Sequence, residues 1–292
     1  MLRIEKILCP IDFSEFSDQA FEYALSLARR YNSKLFLQHV LEPVTFFSFD
    51  GLPGWTEMYE DFKTSAEVAL ADLVASHVAH DLRPETDVEV GAAAESILKF
   101  AEQKNADLIV MGIHGGHSAD RDVIGSVTDK VVRKSSRPVL VVRNAARGAP
   151  PSAPKHAGLQ IEKVLLASDF SDHARRAVTY ALSLATMYRA ELILAHVVES
   201  IPPDTDLKSE TKRLVGQLQS AVPANWQGGH ISTAVRTGKP YREIVQLAVE
   251  AQVDLIVLGG RGHSSVLDIA IFGSTTHRVL QLGPCSVLAV HL

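Results

Sequence analysis

Two stretches of this chain set glycines and a hydroxyl residue at a spacing suited to holding an anion. The first reads Gly112-Ile113-His114-Gly115, then nine residues, then Gly125-Ser126-Val127-Thr128. The second has Gly259 and Gly262, then ten residues, then Gly273-Ser274-Thr275. A glycine-rich turn ending at a helix N-terminus presents backbone N–H groups to a phosphate, and the helix dipole adds to the attraction. Ser126 can cap its helix and donate to a phosphate oxygen. Glycines can equally be required by turn geometry alone. Neither familiar phosphate loop is present: the chain lacks G-x-G-x-x-G directly after its first strand, where Pro10-Ile11-Asp12-Phe13-Ser14 stands, and it lacks the Gly-Lys-Ser/Thr of a Walker loop.

The two loops differ. One extra residue re-aims every N–H after it, so spacing favours the first, which is the expected binding half on that ground. Charge favours the second, where Arg261, His263 and the Lys239 of Gly238-Lys239-Pro240 add donors. In the first, Asp120 and Asp122 flank Arg121, and carboxylates near phosphates repel unless a divalent cation bridges them. His114 and His117 sit three apart, but a metal site would need a third ligand from Asp120 or Asp122, and loop histidines that meet phosphate or solvent are the commoner case. Asp12 and Asp169 each follow a strand, where a helix cap explains them as readily as chemistry does. With no Ser-His-Asp order and no paired carboxylates, no catalytic constellation emerges, and the chain is read as a non-enzyme.

The elements that position these residues occur twice. Ile4-Glu5-Lys6-Ile7-Leu8 returns as Ile161-Glu162-Lys163-Val164-Leu165, Asp12-Phe13-Ser14 as Asp169-Phe170-Ser171, and His39-Val40 as His196-Val197. The repeat exceeds a hundred residues, so the unit is a domain and not a solenoid repeat. Strands are expected at 7–11, 35–40, 88–90, 108–112 and 138–142, with helices at 15–31, 94–104 and 126–135. The second half repeats the order with strands at 164–168, 192–197, 230–235, 255–259 and 286–290 and helices at 172–188, 240–251 and 274–282. Phe16, Ala20, Ala24, Leu27 and Tyr31 recur at helical spacing, and Ser14 or Ser17 can cap that helix. Gly283-Pro284 reads as a helix stop with a left-handed glycine cap. Continuous apolar strand runs between amphipathic helices imply a parallel sheet covered on both faces. The boundaries fall at 1–143 and 161–292, joined by a Pro/Gly/Ala-rich linker over 144–160. Asp12 and Asp169 are 157 positions apart but Gly112 and Gly259 only 147, which places ten extra residues in the first half. Their expected place is the connection from Pro43 to Phe62, where Phe46, Phe47, Phe49, Trp55 and Tyr59 could form a lid or pack on the domain's own flank.

Composition narrows the classes. With 29 Lys plus Arg against 34 Asp plus Glu, the net charge of −5 leaves no electrostatic footprint for nucleic acid or an anionic membrane. No apolar run is long enough to span a bilayer, and no signal core opens the sequence, so a cytoplasmic location is expected. The two cysteines, Cys9 and Cys285, read as reduced thiols.

The glycine spacing resembles the nucleotide-binding signature of the universal stress protein family, G-x2-G-x9-G-(S/T), matched throughout by the first half and with one extra residue by the second. The strand leading to Asp-Phe-Ser, the His-Val closing the second strand and Pro138-Val139-Leu140-Val141-Val142 also resemble family hallmarks. The resemblance implies two Rossmann-like domains of the adenine nucleotide alpha hydrolase-like type, each a five-stranded parallel sheet with helices on both faces. It implies that Pro10 and Asp12, and Asp169 in the second half, lie near the adenosine end of a bound ATP, ADP or AMP, with or without magnesium. Val40 and Val197 then offer main-chain contacts to the adenine. Gly112, Gly115, Gly125, Ser126 and Val127 cradle ribose and phosphates, as do Gly259, Gly262, Gly273, Ser274 and Thr275. Hydrolysis, if any, is expected to be slow. It also implies pairing through the last strand of each domain, here as an intrachain pseudo-dimer, with homodimerisation left open. Two functions follow: a nucleotide-dependent stress sensor, or a scaffold with empty clefts; a slow ATPase or self-phosphorylating protein ranks below both.

Overall fold

The structure, a computed structural model, describes residues 2–42, 55–77, 82–116, 123–143, 160–200, 206–260 and 273–291. The first half contains β1 (Lys6–Pro10), α1 (Glu15–Tyr31), β2 (Lys34–Leu41), α2 (Trp55–His77), β3 (Glu85–Val90), α3 (Ala93–Gln103), β4 (Leu108–Gly112), α4 (Ser126–Lys134) and β5 (Val139–Val142). The second contains β6 (Lys163–Ala167), α5 (Asp172–Tyr188), β7 (Glu191–Val198), α6 (Leu207–Ser220), β8 (Ile231–Thr237), α7 (Pro240–Glu250), β9 (Leu255–Gly259), α8 (Ser274–Leu282) and β10 (Ser286–Val290).

The ten strands of the described residues form one sheet in the order β3-β2-β1-β4-β5-β10-β9-β6-β7-β8. Within each half the neighbours are parallel, and β5 meets β10 antiparallel, with Leu140 opposite Leu288 and Val141 opposite Val287. Each apolar closing strand thus pairs with its counterpart. The outermost strands are polar instead: β3 carries Glu85, Asp87 and Glu89, the kind of charge that discourages further strand addition. Side chains alternate between two cores. Ile7, Cys9, Leu35, Leu37, Leu108 and Val110 pack with α1, α2, α5 and α6 residues, whereas Leu8, Phe36, Ile109 and Met111 pack with α3, α4, α7 and α8. Each fully buried aliphatic side chain contributes about 1.5–3 kcal/mol by leaving water.

Two expectations need correction. Helices α2 and α6 occupy connections in which no element was expected. Among the described side chains of α2 the buried stripe is Ala66 and Leu70, with Leu73 and Val74 partly buried; in α6 it is Leu214 and Leu218. Most of the ten extra residues lengthen α2, 23 residues against 14 in α6, and Phe62 on it is exposed. Phe46, Phe47 and Phe49 lie outside the described residues, as does the linker over 144–159. Gly283 ends α8 with φ −63° and ψ 145°, not left-handed. Pro284 drives the residue before it into extended backbone. A side chain at 283 would place Cβ 2.6 Å from the Val279 carbonyl oxygen, so close approach is what selects glycine.

Polar contacts lock the halves. The Arg143 guanidinium donates to the carbonyls of Leu280 (2.7 Å) and Gln281 (3.0 Å) at the end of α8. Tyr31 and Ser183 hydroxyls meet at 3.1 Å between α1 and α5, and Arg30 lies 4.2 Å over the Tyr188 ring. Between α4 and α8, Arg133 donates to Asp129 at 2.8 Å, and both reach Nδ1 of His277 at 3.1 Å. Cys9 and Cys285 are buried free thiols.

Candidate functional site

In each half the strand order reverses between the first and fourth strands, β1 and β4 or β6 and β9. Connections leaving such neighbours depart to opposite faces and open a crevice at the strands' carboxyl ends. Two loops of each half meet there. In the turn after β1, Ser14 caps α1 by accepting the Ser17 N–H, and Ser171 caps α5 by accepting from Ala174. Phe13 (φ 61°) and Phe170 (φ 63°) occupy the left-handed region, which is costly for a bulky side chain. Each ring lies against a histidine, Phe13 on His39 with centroids 4.7 Å apart and Phe170 on His196 at 4.5 Å. His39 Nδ1 donates to the Ile11 carbonyl and His196 Nδ1 to the Ser168 carbonyl, each at 2.8 Å, pinning the end of the second strand to the turn. The histidine of each His-Val pair therefore braces the turn that carries Asp12 or Asp169.

Asp12 Oδ1 accepts from the Ser14 hydroxyl (2.6 Å) and N–H (3.1 Å), and Oδ2 accepts the Gly116 N–H at 2.9 Å. Burial pushes this carboxyl up, but the bonds from Ser14 and Gly116 outweigh it and leave it below the ordinary value. A Cβ at Gly115 would sit 2.7 Å from Asp12 Oδ2, so a side chain there would push the carboxylate from its place. Asp169 Oδ1 likewise accepts the Ser171 N–H, at 3.0 Å.

In the glycine loop, a Cβ on Gly112 would lie 2.8 Å from the Phe16 carbonyl oxygen, and one on Gly259 2.9 Å from His173 Cβ. These glycines let α1 and α5 pack directly on β4 and β9. The loop then closes on itself: Gly125 N–H donates to Ile113 at 2.8 Å, and Gly273 N–H to Gly260 at 3.0 Å. Thr128 Oγ1 donates to the Gly112 carbonyl and Thr276 Oγ1 to the Gly259 carbonyl, both at 2.8 Å. The extra residue of the second loop therefore does not shift Gly273 or Ser274, correcting the expectation that it re-aims the groups after it. It falls within residues 261–272, ahead of the closing bond. Ser126 is the first residue of α4 and makes no cap bond; Gly125 holds the cap position. Gly262, Arg261, His263, His117, Asp120, Arg121 and Asp122 lie outside the described residues, and no cluster of metal-ligating side chains occurs among those described.

The second half opens a cleft of ≈ 170 Å³ at this point, bounded by Asp169, Val197, Gly259, Gly273, Ser274 and Thr275. Ala167, Ala195, Leu258 and Ile244 give it apolar walls, with Ser168, Glu199, Pro240 and Thr276 completing the lining. Candidate residues separated by more than a hundred positions are thus brought together. In the first half, Pro10 ends β1 beside Gln38, Val40 and Val127 pack partly buried against the α3–α4 core, and Gly112, Gly125 and Ser126 hold the places of Gly259, Gly273 and Ser274. Spacing alone did not single out Thr128, Thr276, His39 or His196 as braces, although their recurrence at equal places in both copies was a usable signal.

Comparison with known proteins agrees with this architecture. The Universal stress protein family profile matches residues 3–143 and again 160–291. A universal stress protein of Mycolicibacterium smegmatis is 26% identical over 296 residues, covering 97% of this chain and 96% of that one. One from Methanocaldococcus jannaschii is 30% identical over 139 residues, 48% of this chain and 82% of its own. The crystal structure of a universal stress protein from Archaeoglobus fulgidus superimposes with a TM-score of 0.73 at 24% identity, covering 99% of each chain. The chain belongs to the universal stress protein family, as a tandem of two of its domains.

Proposed function

We propose that the chain binds an adenine nucleotide, ATP or its lower phosphates, and acts as a nucleotide-dependent stress-response regulator, with the second-half cleft as its principal site. The observation that carries this reading is the ≈ 170 Å³ cleft with an apolar end at Ala167 and Ala195 and a helix N-terminus at Gly273-Ser274-Thr275. A purine suits the apolar end, and a phosphate chain suits the N–H groups and positive dipole end of α8. Magnesium, where it accompanies the nucleotide, would supply neutralisation of the phosphate charge. The role proposed is binding and not turnover.

The first half favours the second reading, a scaffold. Its Gly116 N–H is already taken by Asp12, so an anion there competes with the protein's own carboxylate. Releasing bound small molecules from the purified chain by heat and identifying them by mass spectrometry tests the proposal. Adenine nucleotide at up to one equivalent per chain supports it. No nucleotide, together with no binding on addition of ATP and magnesium, supports the scaffold.

A further inference from the structure

The two halves treat one carboxylate differently. Glu42 follows β2 and Glu199 follows β7, at equivalent places: Gly91 N–H donates to the Leu41 carbonyl just as Gly238 N–H donates to that of Val198. In the first half, Glu42 Oε1 accepts the Ala93 N–H at 3.0 Å and so caps the first turn of α3. The residue matching Ala93 is Pro240, the first residue of α7, which has no N–H to donate. Glu199 accepts no hydrogen bond among the described residues and lines the cleft instead. One substitution, proline for alanine at a helix start, has freed a carboxylate for the site.

Position decides what that carboxylate can meet. Glu199 leaves the end of β7 and Ser274 opens α8 after β9, with β6 between them. Strands lie ~4.8 Å apart, so Glu199 sits about 10 Å from the phosphate end, beside Val197 and the apolar walls. An ionised carboxylate only accepts hydrogen bonds. It is repelled by phosphate and suited to an uncharged donor at the base end. Resting on the nucleotide reading above, we infer that Glu199 is a specificity-determining residue of the second cleft, accepting a hydrogen bond from the exocyclic amine of the bound base and rejecting bases that carry a carbonyl there. A site built to bond a ligand donor discriminates strongly against its replacement by an acceptor, because two acceptors then face each other.

The test compares ATP with inosine triphosphate, which has a carbonyl oxygen in place of the amine, by calorimetry on the full chain. The wild type should prefer ATP by about tenfold or more. Glu199→Gln, whose amide both accepts and donates, should bring the two within about threefold. Pro240→Ala restores the missing N–H, lets Glu199 cap α7 as Glu42 caps α3, and should also erode the preference while the melting temperature is retained. Discrimination unchanged in both variants overturns the role of Glu199 and leaves nucleotide binding standing. Preference lost when 2′-deoxy-ATP replaces ATP, but indifferent to inosine, assigns the bond to the ribose and overturns the base-amine role. No binding of either triphosphate to the wild type overturns both readings.

Discussion

The Asp12 carboxylate accepts the Gly116 N–H at 2.9 Å, tying the turn after β1 to the glycine loop after β4 across the point where the strand order reverses. Asp12 is thereby held below its ordinary value despite burial, through its bonds to Ser14 and Gly116. A carboxyl lowered on folding contributes stability that is full above the unfolded value, near about 4, and is lost as pH falls through the folded one. Asp12→Asn should therefore cost about 1 kcal/mol at pH 7, with the gap to wild type closing below about pH 4. Urea unfolding across pH checks this; a gap that persists into acid contradicts it.

Glycine positions separate close approach from open space. Gly112→Ala forces a Cβ to 2.8 Å from a backbone oxygen and should destabilise by about 1–3 kcal/mol. Gly216, inside α6, has no atom within 4 Å of the place a Cβ would take, so Gly216→Ala should stabilise by up to about 1 kcal/mol. Thermal melts of the pair should move in opposite directions.

Arg143 ends the first half but satisfies carbonyls of the second, so it should matter more than a surface arginine. Arg143→Ala removes the bonds to Leu280 and Gln281 and should cost about 1–3 kcal/mol. Chemical denaturation reads the loss. Stability unchanged within about 0.5 kcal/mol would show that these two bonds do not couple the halves.

Both thiols should be silent in the native protein. Burial pushes Cys285 up to about 12 and Cys9 higher still, leaving almost no thiolate at neutral pH. A thiol reagent should label neither residue until denaturant is added, and then both. Fast labelling of the native chain contradicts this burial.

How much of this was legible follows from which forces act locally. Helix α1 reads directly from the spacing of Phe16, Ala20, Ala24 and Leu27 and from the cap at Ser14. Helices α2 and α6 do not, because they cover the sheet's flanks and bury only a narrow stripe such as Leu214 and Leu218 amid charge. The glycine loops are visible as spacing, yet counting residues misleads: the bonds Gly125 to Ile113 and Gly273 to Gly260 set the register, and the extra residue falls ahead of them. The contrast of Glu42 with Glu199 was present in the letters Ala93 and Pro240, but it acquires meaning only once β2 and α3 place the carboxylate beside that N–H.

The central claim is that the second-half cleft holds an adenine nucleotide, and the most direct measurement is calorimetric titration of nucleotide-stripped full chain with ATP and magnesium. Saturable binding is expected, weakened about tenfold or more by Gly273→Val at the cap position where the loop meets α8, with the fold retained by circular dichroism. No saturable heat up to millimolar ATP, from a chain with an intact melting transition, would contradict it.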